Sequence, residues 1–222
     1  MIDYKTLFVS PFMQNCRIFY NDETHEAAVV DPGDNAEEIL SEVNKYKCIL
    51  KAILITHMHI DHVGAIPNIL NKINVPIYGS AKEDKPILNS LGQQAINFGL
   101  NHVEKFDTNW LSDGQLIEPI KDLKLTVITT PGHTPGGVCY YFKEKNLLIC
   151  GDTLFAGSVG RTDFPLGSFD DLIDSIKNKL YKLPRETIVL SGHGPNSTIA
   201  DEITSNPYTV WHPLAEARGF PL

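Results

Sequence analysis

Three imidazoles and one carboxylate fall within the six consecutive residues His57-Met58-His59-Ile60-Asp61-His62. Imidazole nitrogen and carboxylate oxygen are the donors of zinc and iron chemistry, so metal-assisted catalysis is the chemistry these side chains could do. The donors fall at i, i+2, i+4 and i+5. A helical zinc motif instead places two His at i and i+4 with a Glu beside the first. The spacing here suits a tight loop that points alternate side chains at two neighbouring points. A solvated polar loop is the plain alternative, and the density of histidine weighs against it.

Three later segments carry the same residue types. His133 lies in Thr129-Thr130-Pro131-Gly132-His133-Thr134, Asp152 follows Gly151, and His193 lies in Ser191-Gly192-His193-Gly194. Taken singly, each has an ordinary explanation. A lone His beside Gly in a loop is commonly a hydrogen-bonded structural residue, and a Gly-Asp pair is usually a turn. Added to the first segment they make seven ligand-grade side chains. That number suits two metals and exceeds one tetrahedral site.

Each of these segments follows an apolar run. Ala52–Ile55 precedes the first, and residues 123–128 alternate like a strand with one wet face before His133. Leu147–Cys150 precedes Asp152 and Thr187–Leu190 precedes His193, so every candidate ligand begins where a strand ends. Upstream, Thr6–Val9, Cys16–Tyr20 and Ala27–Asp31 read as three strands, antiparallel because their connections are short. Asp34 is a candidate N-cap for a helix from Ala36 to about Tyr46, and a second helix is expected over 66–73 with Pro67 near its start. A short strand is expected at 76–79, and residues 82–100 show only a helical stretch around 87–91. Val138–Phe142 and Leu147–Cys150 flank a polar turn and predict a hairpin. An amphipathic helix is expected over 169–182, and Ser197 is a candidate cap for a helix through Ile203. Strands interleaved with helices imply a layered α/β domain, sheets inside and helices outside, over residues 1–222 without a linker.

Composition narrows the function classes. The net charge of −8, with no Lys/Arg block, argues against a nucleic-acid partner. No apolar run approaches the roughly 18 residues of a membrane span. The N-terminus lacks a basic-then-apolar leader, so the cytoplasm is the expected location. Cys16, Cys48, Cys139 and Cys150 are scattered without a CxxC pair and read as reduced, mostly buried thiols. His25, His102 and His212 lie outside every motif. Trp211, Pro213 and Phe220 form an aromatic tail expected to dock on its own domain.

His57-x-His59-x-Asp61-His62 followed by His133, Asp152 and His193 in that order resembles the metallo-β-lactamase fold superfamily, over nearly the whole chain. The resemblance implies a four-layer αβ/βα sandwich, two mixed β-sheets packed face to face with helices outside. It implies that His57, His59 and His133 hold one divalent metal, that Asp61, His62 and His193 hold a second, and that Asp152 bridges them. Zinc comes first, with iron or manganese as alternatives. Within the superfamily, the segment from Gly151 to Asp163 resembles glyoxalase II-like hydrolases and persulfide dioxygenases, and His193–Thr198 resembles a short bacterial glyoxalase II-like branch. Full-length glyoxalase II carries a helical C-terminal domain that grips glutathione, whereas 29 residues follow His193 here.

The expected reaction is hydrolysis of a small-molecule thioester of a 2-hydroxy acid, S-lactoylglutathione or a related thiol adduct. Asp61 is the candidate catalytic residue, and Arg161 is the candidate substrate-binding residue, set against a structural Arg161–Asp163 pair. The runner-up is a mononuclear iron persulfide dioxygenase using His57 or His59, His133 and Asp152. A non-catalytic metal-stabilised module needs fewer ligands. A β-lactamase is disfavoured by the missing leader, and a flavodiiron redox domain by His59, which stands where that family resembles a Glu.

Overall fold

In the computed structural model, residues 1–210 are described. β1 (Ile2–Val9), β2 (Gln14–Asn21), β3 (Glu26–Val30), β4 (Ile49–Leu54), β5 (Ile77–Ala81) and β6 (Asn109–Leu111) form one sheet in that order. The first three pair antiparallel through short turns, as expected. The β3–β4, β4–β5 and β5–β6 pairs are parallel and therefore need crossovers. These are supplied by α1 (Ala36–Lys45), then α2 (Ile60–Val63) and α3 (Ile66–Leu70), then α4 (Lys85–Asn89) and α5 (Leu91–Phe98).

The second sheet draws on β7 (Leu116–Ile117), β8 (Leu125–Thr129), β9 (Val138–Phe142) and β10 (Leu147–Gly151). A two-stranded hairpin follows, β11 (Leu154–Phe155) and β12 (Ser158–Val159). After α6 (Phe169–Asn178) come β13 (Ile188–Ser191), β14 (Ser197–Thr198) and α7 (Ile199–Ser205). The order is β14-β13-β10-β9-β8-β7, with β10 and β13 parallel and the other pairs antiparallel.

Strand alternation divides the apolar residues among three cores. Val138, Tyr140 and Phe142 of β9 face the first sheet, where they meet Ala52 and Leu54 of β4 and Phe19 of β2. Cys139 and Tyr141 face outward onto Leu172 and Ile176 of α6. On the far side, Leu50 and Ile53 of β4 pack with Ile39 and Val43 of α1 and with Ile66 and Ile69 of α3. Burial on both faces explains why the central strands are unbroken apolar runs. Helices, sheet, sheet and helices make the expected four-layer αβ/βα sandwich. Among the described residues no helix is long and apolar enough to cross a membrane. All four cysteines are free and buried, and burial pushes the Cys139 thiol up to about 11, far from a nucleophile's range.

Several local expectations shift. Asn35, not Asp34, precedes α1; it is left-handed with φ 58°, and the Asp34 carboxylate accepts from its N–H. Thr198 rather than Ser197 caps α7, its hydroxyl accepting from the Asp201 N–H three residues on, where the helix begins at Ile199. The helix expected over 169–182 stops at Asn178 and gives way to a 3₁₀ turn at Leu180–Lys182. The helix expected over 66–73 ends at Leu70. The 82–100 stretch holds two helices where one was expected. The edge strands β6, β7 and β14, of two or three residues, are too short to show an alternation. Trp211, His212, Pro213 and Phe220 lie outside the described residues.

Candidate metal centre

β8 and β10 both run antiparallel to β9, and β13 runs parallel to β10, so all three point the same way. Their C-terminal ends therefore share one edge, and His133, Asp152 and His193 emerge there together. β4 of the other sheet ends opposite them and delivers His57 to His62. The Val138 N–H donates to the Thr56 carbonyl at 2.9 Å, tying the two sheets beside the ligands. His57 and His59 lie on the loop, while Asp61 and His62 fall on the single-turn α2, for which His59 is the N-cap residue.

Every sequence-predicted ligand reaches this place. Donor atoms of His57, His59 and His133 lie within 4.8 Å of one another, as do those of His57, His62 and Asp152 and those of Asp61, His62 and His193. Asp152 stands between the groups. Its Oδ1 is 3.4 Å from His62 Nε2, and its Oδ2 is 3.7 Å from His133 Nε2 and 3.6 Å from His193 Nε2. Asp61 Oδ2 is 3.2 Å from His193 Nε2.

In four of the five imidazoles the ring nitrogen that faces away from this point is anchored by the protein. His133 Nδ1 donates to the Arg161 carbonyl at 2.7 Å, and His193 Nδ1 to the Phe12 carbonyl at 3.1 Å. His62 Nδ1 meets Asp31 Oδ2 at 3.0 Å, and His57 Nδ1 meets Thr56 Oγ1 at 3.1 Å. Such bonds fix the tautomer and turn the opposite lone pair toward a ligand. The inward atoms His57 Nε2, His62 Nε2 and Asp152 Oδ1 are buried and have no hydrogen-bond partner. Buried polar atoms are ordinarily paired. Three unpaired ones converging on one point fit a bound cation.

Electrostatics agree. Burial, then the neighbouring imidazoles, drive His57 well below its ordinary range and His59 down to about 3, so both present neutral donors. Burial also works against a charge on His62, but Asp152, Asp61 and the Asp31 bond outweigh it and hold the ring well above its ordinary value. Gly192 is required by proximity: a Cβ there would lie 2.2 Å from Asp152 Oδ1 and 2.8 Å from His62 Cε1.

Three supporting residues escaped the sequence reading. Asp31 accepts from the Thr56 N–H and hydroxyl, both at 2.7 Å, besides holding His62. In the sequence it reads as the last residue of a strand, although a carboxylate at a strand end before Pro32-Gly33 repeats the placement of the candidate ligands. Buried Asp84 accepts from the Met58 and Gly136 N–H groups and the Thr134 hydroxyl, clamping the two loops that carry His57, His59 and His133. Burial raises it to about 6 against the pull of those bonds. Asn15 donates to the Ser191 and Gly194 carbonyls and so holds the His193 loop. Neither of the last two carried a signal in the sequence.

Arg161 lies at the rim. Its Nε and one terminal nitrogen donate to Asp163 at 2.7 and 2.6 Å, and its guanidinium lies 4.1 Å over the Phe164 ring. The pair considered as its structural role is therefore made.

An αβ/βα sandwich with a His/Asp cluster at the shared strand ends defines a metal-dependent hydrolase scaffold. Residues 10–193 match the family model of the metallo-beta-lactamase superfamily, and the chain belongs to that family as one of its metallo-hydrolases. It is 39% identical over 201 residues to the hydroxyacylglutathione hydrolase GloC of Haemophilus influenzae, covering 90% of this chain and 94% of that one. The solved structure of the B3 metallo-beta-lactamase BLEG-1 superposes with a TM-score of 0.86 at 33% identity, over 94% of this chain and all of that one (100%). That of TTHA1623 in a di-iron-bound form gives 0.83 at 33%, over 92% and 99%.

Proposed function

We propose that this chain hydrolyses the thioester of a 2-hydroxy acid, S-lactoylglutathione or a related thiol adduct, with two divalent metal ions. His57, His59 and His133 would hold one ion, Asp61, His62 and His193 the other, and Asp152 would contact both. Zinc suits the nitrogen and oxygen donors best, with iron or manganese as alternatives. The observation that carries the metal assignment is the trio of unpaired inward atoms on His57, His62 and Asp152. Similarity to GloC over nine-tenths of the chain supports the thioester.

Bound there, such ions would supply a polarised carbonyl oxygen and a water of pKa about 7, acidic enough to ionise near neutral pH. The chain's residues do the rest. The Asp61 side chain is 20% exposed, so it can accept a hydrogen bond from the attacking water and orient it. The conjugate acid of the leaving thiolate has a pKa of about 8.5, so it departs without a dedicated proton donor, whereas the nitrogen of a β-lactam needs one.

Metal analysis of the purified protein is expected to give two equivalents, lost together with thioesterase activity on chelation. A stoichiometry of one at saturating metal would sink the dinuclear proposal. Turnover should be the same with and without oxygen, and a β-lactam should be a poor substrate beside the thioester.

Arg161 is proposed to bind a carboxylate on the thiol portion. Its bond to Asp163 is solvent-exposed, and such pairs are weak enough for a substrate anion to displace. Arg161→Ala should then raise KM more than it lowers kcat, the signature of lost uniform binding. Unchanged kinetics with a lower Tm would show instead that the arginine serves only its loop.

A further inference from the structure

His59 is the imidazole that no protein group anchors from behind. Its Nδ1 meets His133 Nε2 at 2.9 Å, one candidate ligand against another, and among the described residues its other ring nitrogen has no hydrogen-bond partner. The peptide on each side of His59 is pinned instead. The Met58 N–H donates to Asp84 Oδ2 at 3.2 Å, and the Ile60 N–H donates to Gln94 Oε1 at 2.9 Å. Both acceptors come from the segment between β5 and β6, Asp84 from just before α4 and Gln94 from α5.

The loop alternates. His57, His59 and Asp61 offer their donors to the centre, while Met58 and Ile60 are buried in the same apolar cluster as Ile87, Leu88, Leu91 and Ala95 of α4 and α5. His59 is also the N-cap residue of α2, yet its side chain makes no capping bond. The Ile60 N–H is therefore a first-turn donor without a partner in its own helix, on a residue only 2% exposed. Gln94 supplies the acceptor from another helix. Its amide is held in turn, since Nε2 donates to the Ile87 carbonyl and to Ser90 Oγ, both at 3.1 Å. Asp84 is an acceptor on both oxygens, taking the Met58 N–H and the Thr134 hydroxyl on one and the Gly136 N–H on the other.

The rest of the centre is held from other directions. Asp31 fixes His62, and the Phe12 carbonyl fixes His193. The backbone of Asp61 is wedged against Gly33, where a Cβ would lie 1.6 Å from the Asp61 carbonyl oxygen. Loosening the peptides of Met58 and Ile60 thus frees His59 before it frees Asp61, His62 or His193.

We infer that Asp84 and Gln94 are positioning residues that set His59 through the backbone. On the assignment of ions proposed above, on which this rests, they govern how tightly the His57, His59 and His133 group holds its ion and leave the Asp61, His62 and His193 group to its own supports.

Zinc affinities can be read by competition with a chromophoric chelator, in the full chain and in an Asp61→Asn background, which on that assignment keeps only the first ion. Gln94→Leu keeps the net charge and the apolar bulk but removes the acceptor. Asp84→Asn keeps the shape but turns an amide NH2 toward either the Met58 or the Gly136 N–H. Each is expected to weaken the first ion by roughly 10- to 100-fold, the scale on which residues behind the ligands act, and to leave the second unchanged. Gln94→Glu restores an acceptor for Ile60 while losing both bonds from Nε2. It should lower the Tm of the metal-free protein yet recover most of the first ion's affinity, which a residue serving only the fold would not do. Should Asp84→Asn fail to fold, the two Gln94 variants carry the test. Unchanged affinity at a lowered Tm, or an equal loss at both ions, overturns the inference. A single equivalent of zinc in the wild type would remove the two-metal proposal alone, and the inference would then stand or fall on whether the same variants weaken that one ion.

Discussion

Replacing Asp61 by Asn is expected to lower kcat for thioester hydrolysis by roughly 10²-fold or more, the scale of one lost electrostatic stabiliser, and to reduce tightly held metal from two equivalents to one. Asp61 Oδ2 stands 3.2 Å from His193 Nε2 and 3.8 Å from His62 Nε2, so its charge belongs to the group that would hold the second ion. His62 and His193 keep its carboxyl below the usual range against the effect of burial, so it is anionic at neutral pH. Asparagine keeps the shape and one acceptor but removes the anion. The group at His57, His59 and His133 does not include Asp61 and should keep its ion. In a mononuclear iron dioxygenase built on His57 or His59, His133 and Asp152, the same change removes only a supporting residue. Iron content would then survive, with activity down by roughly 10- to 100-fold at most. Metal content and turnover, each measured with and without oxygen, separate the two. Full thioesterase activity with one metal would refute the dinuclear mechanism, and oxygen-dependent turnover of a persulfide would favour the dioxygenase.

Asp31→Ala is expected to cost about 3–5 kcal/mol of stability, as for a buried charged group removed from its partners, and to weaken metal binding by roughly 10- to 100-fold. The Asp31 carboxylate is buried and takes three donors, the Thr56 N–H and hydroxyl and the His62 ring. Alanine leaves all three without an acceptor in a site that water does not fill freely. His62 also loses the bond that fixes its tautomer. Asp31→Asn separates the two effects. Residue 31 has φ 51°, a left-handed conformation that asparagine tolerates well. One amide oxygen can still accept from Thr56, so most of the stability should return. The amide lacks the negative charge that makes His62 a strong donor, so metal affinity should stay low. Denaturant midpoints and competitive metal titrations read the two quantities. Recovery of metal affinity together with stability would show that Asp31 only holds the loop.

The four ligand segments were legible in the chain because each is local. Ala52–Ile55 and Leu147–Cys150 are buried on both faces, and Thr187–Leu190 is buried except at Ile188, so they read as apolar runs, and the polar residues begin where those runs stop. The first segment alone carries four of the seven donors, and the order of the rest supplied the resemblance and with it the sandwich. The hairpin of β9 and β10 was legible for the same reason, since its strands and turn are contiguous. Capping was not: Asn35 and Thr198 stand at the cap positions in place of Asp34 and Ser197, because the residue at which the backbone turns into the helix decides which of two adjacent polar residues is the cap. Only the tertiary structure decided that β8, β10 and β13 run the same way and so bring His133, Asp152 and His193 to one edge. It also decided the supporting roles. Asp84 binds Gly136 from 52 residues away, and Asn15 binds Ser191 from 176 away. A single carboxylate or amide leaves no periodic trace in a sequence. Its partner is chosen by how two sheets pack, and that packing sums many weak apolar contacts that no short stretch of chain contains.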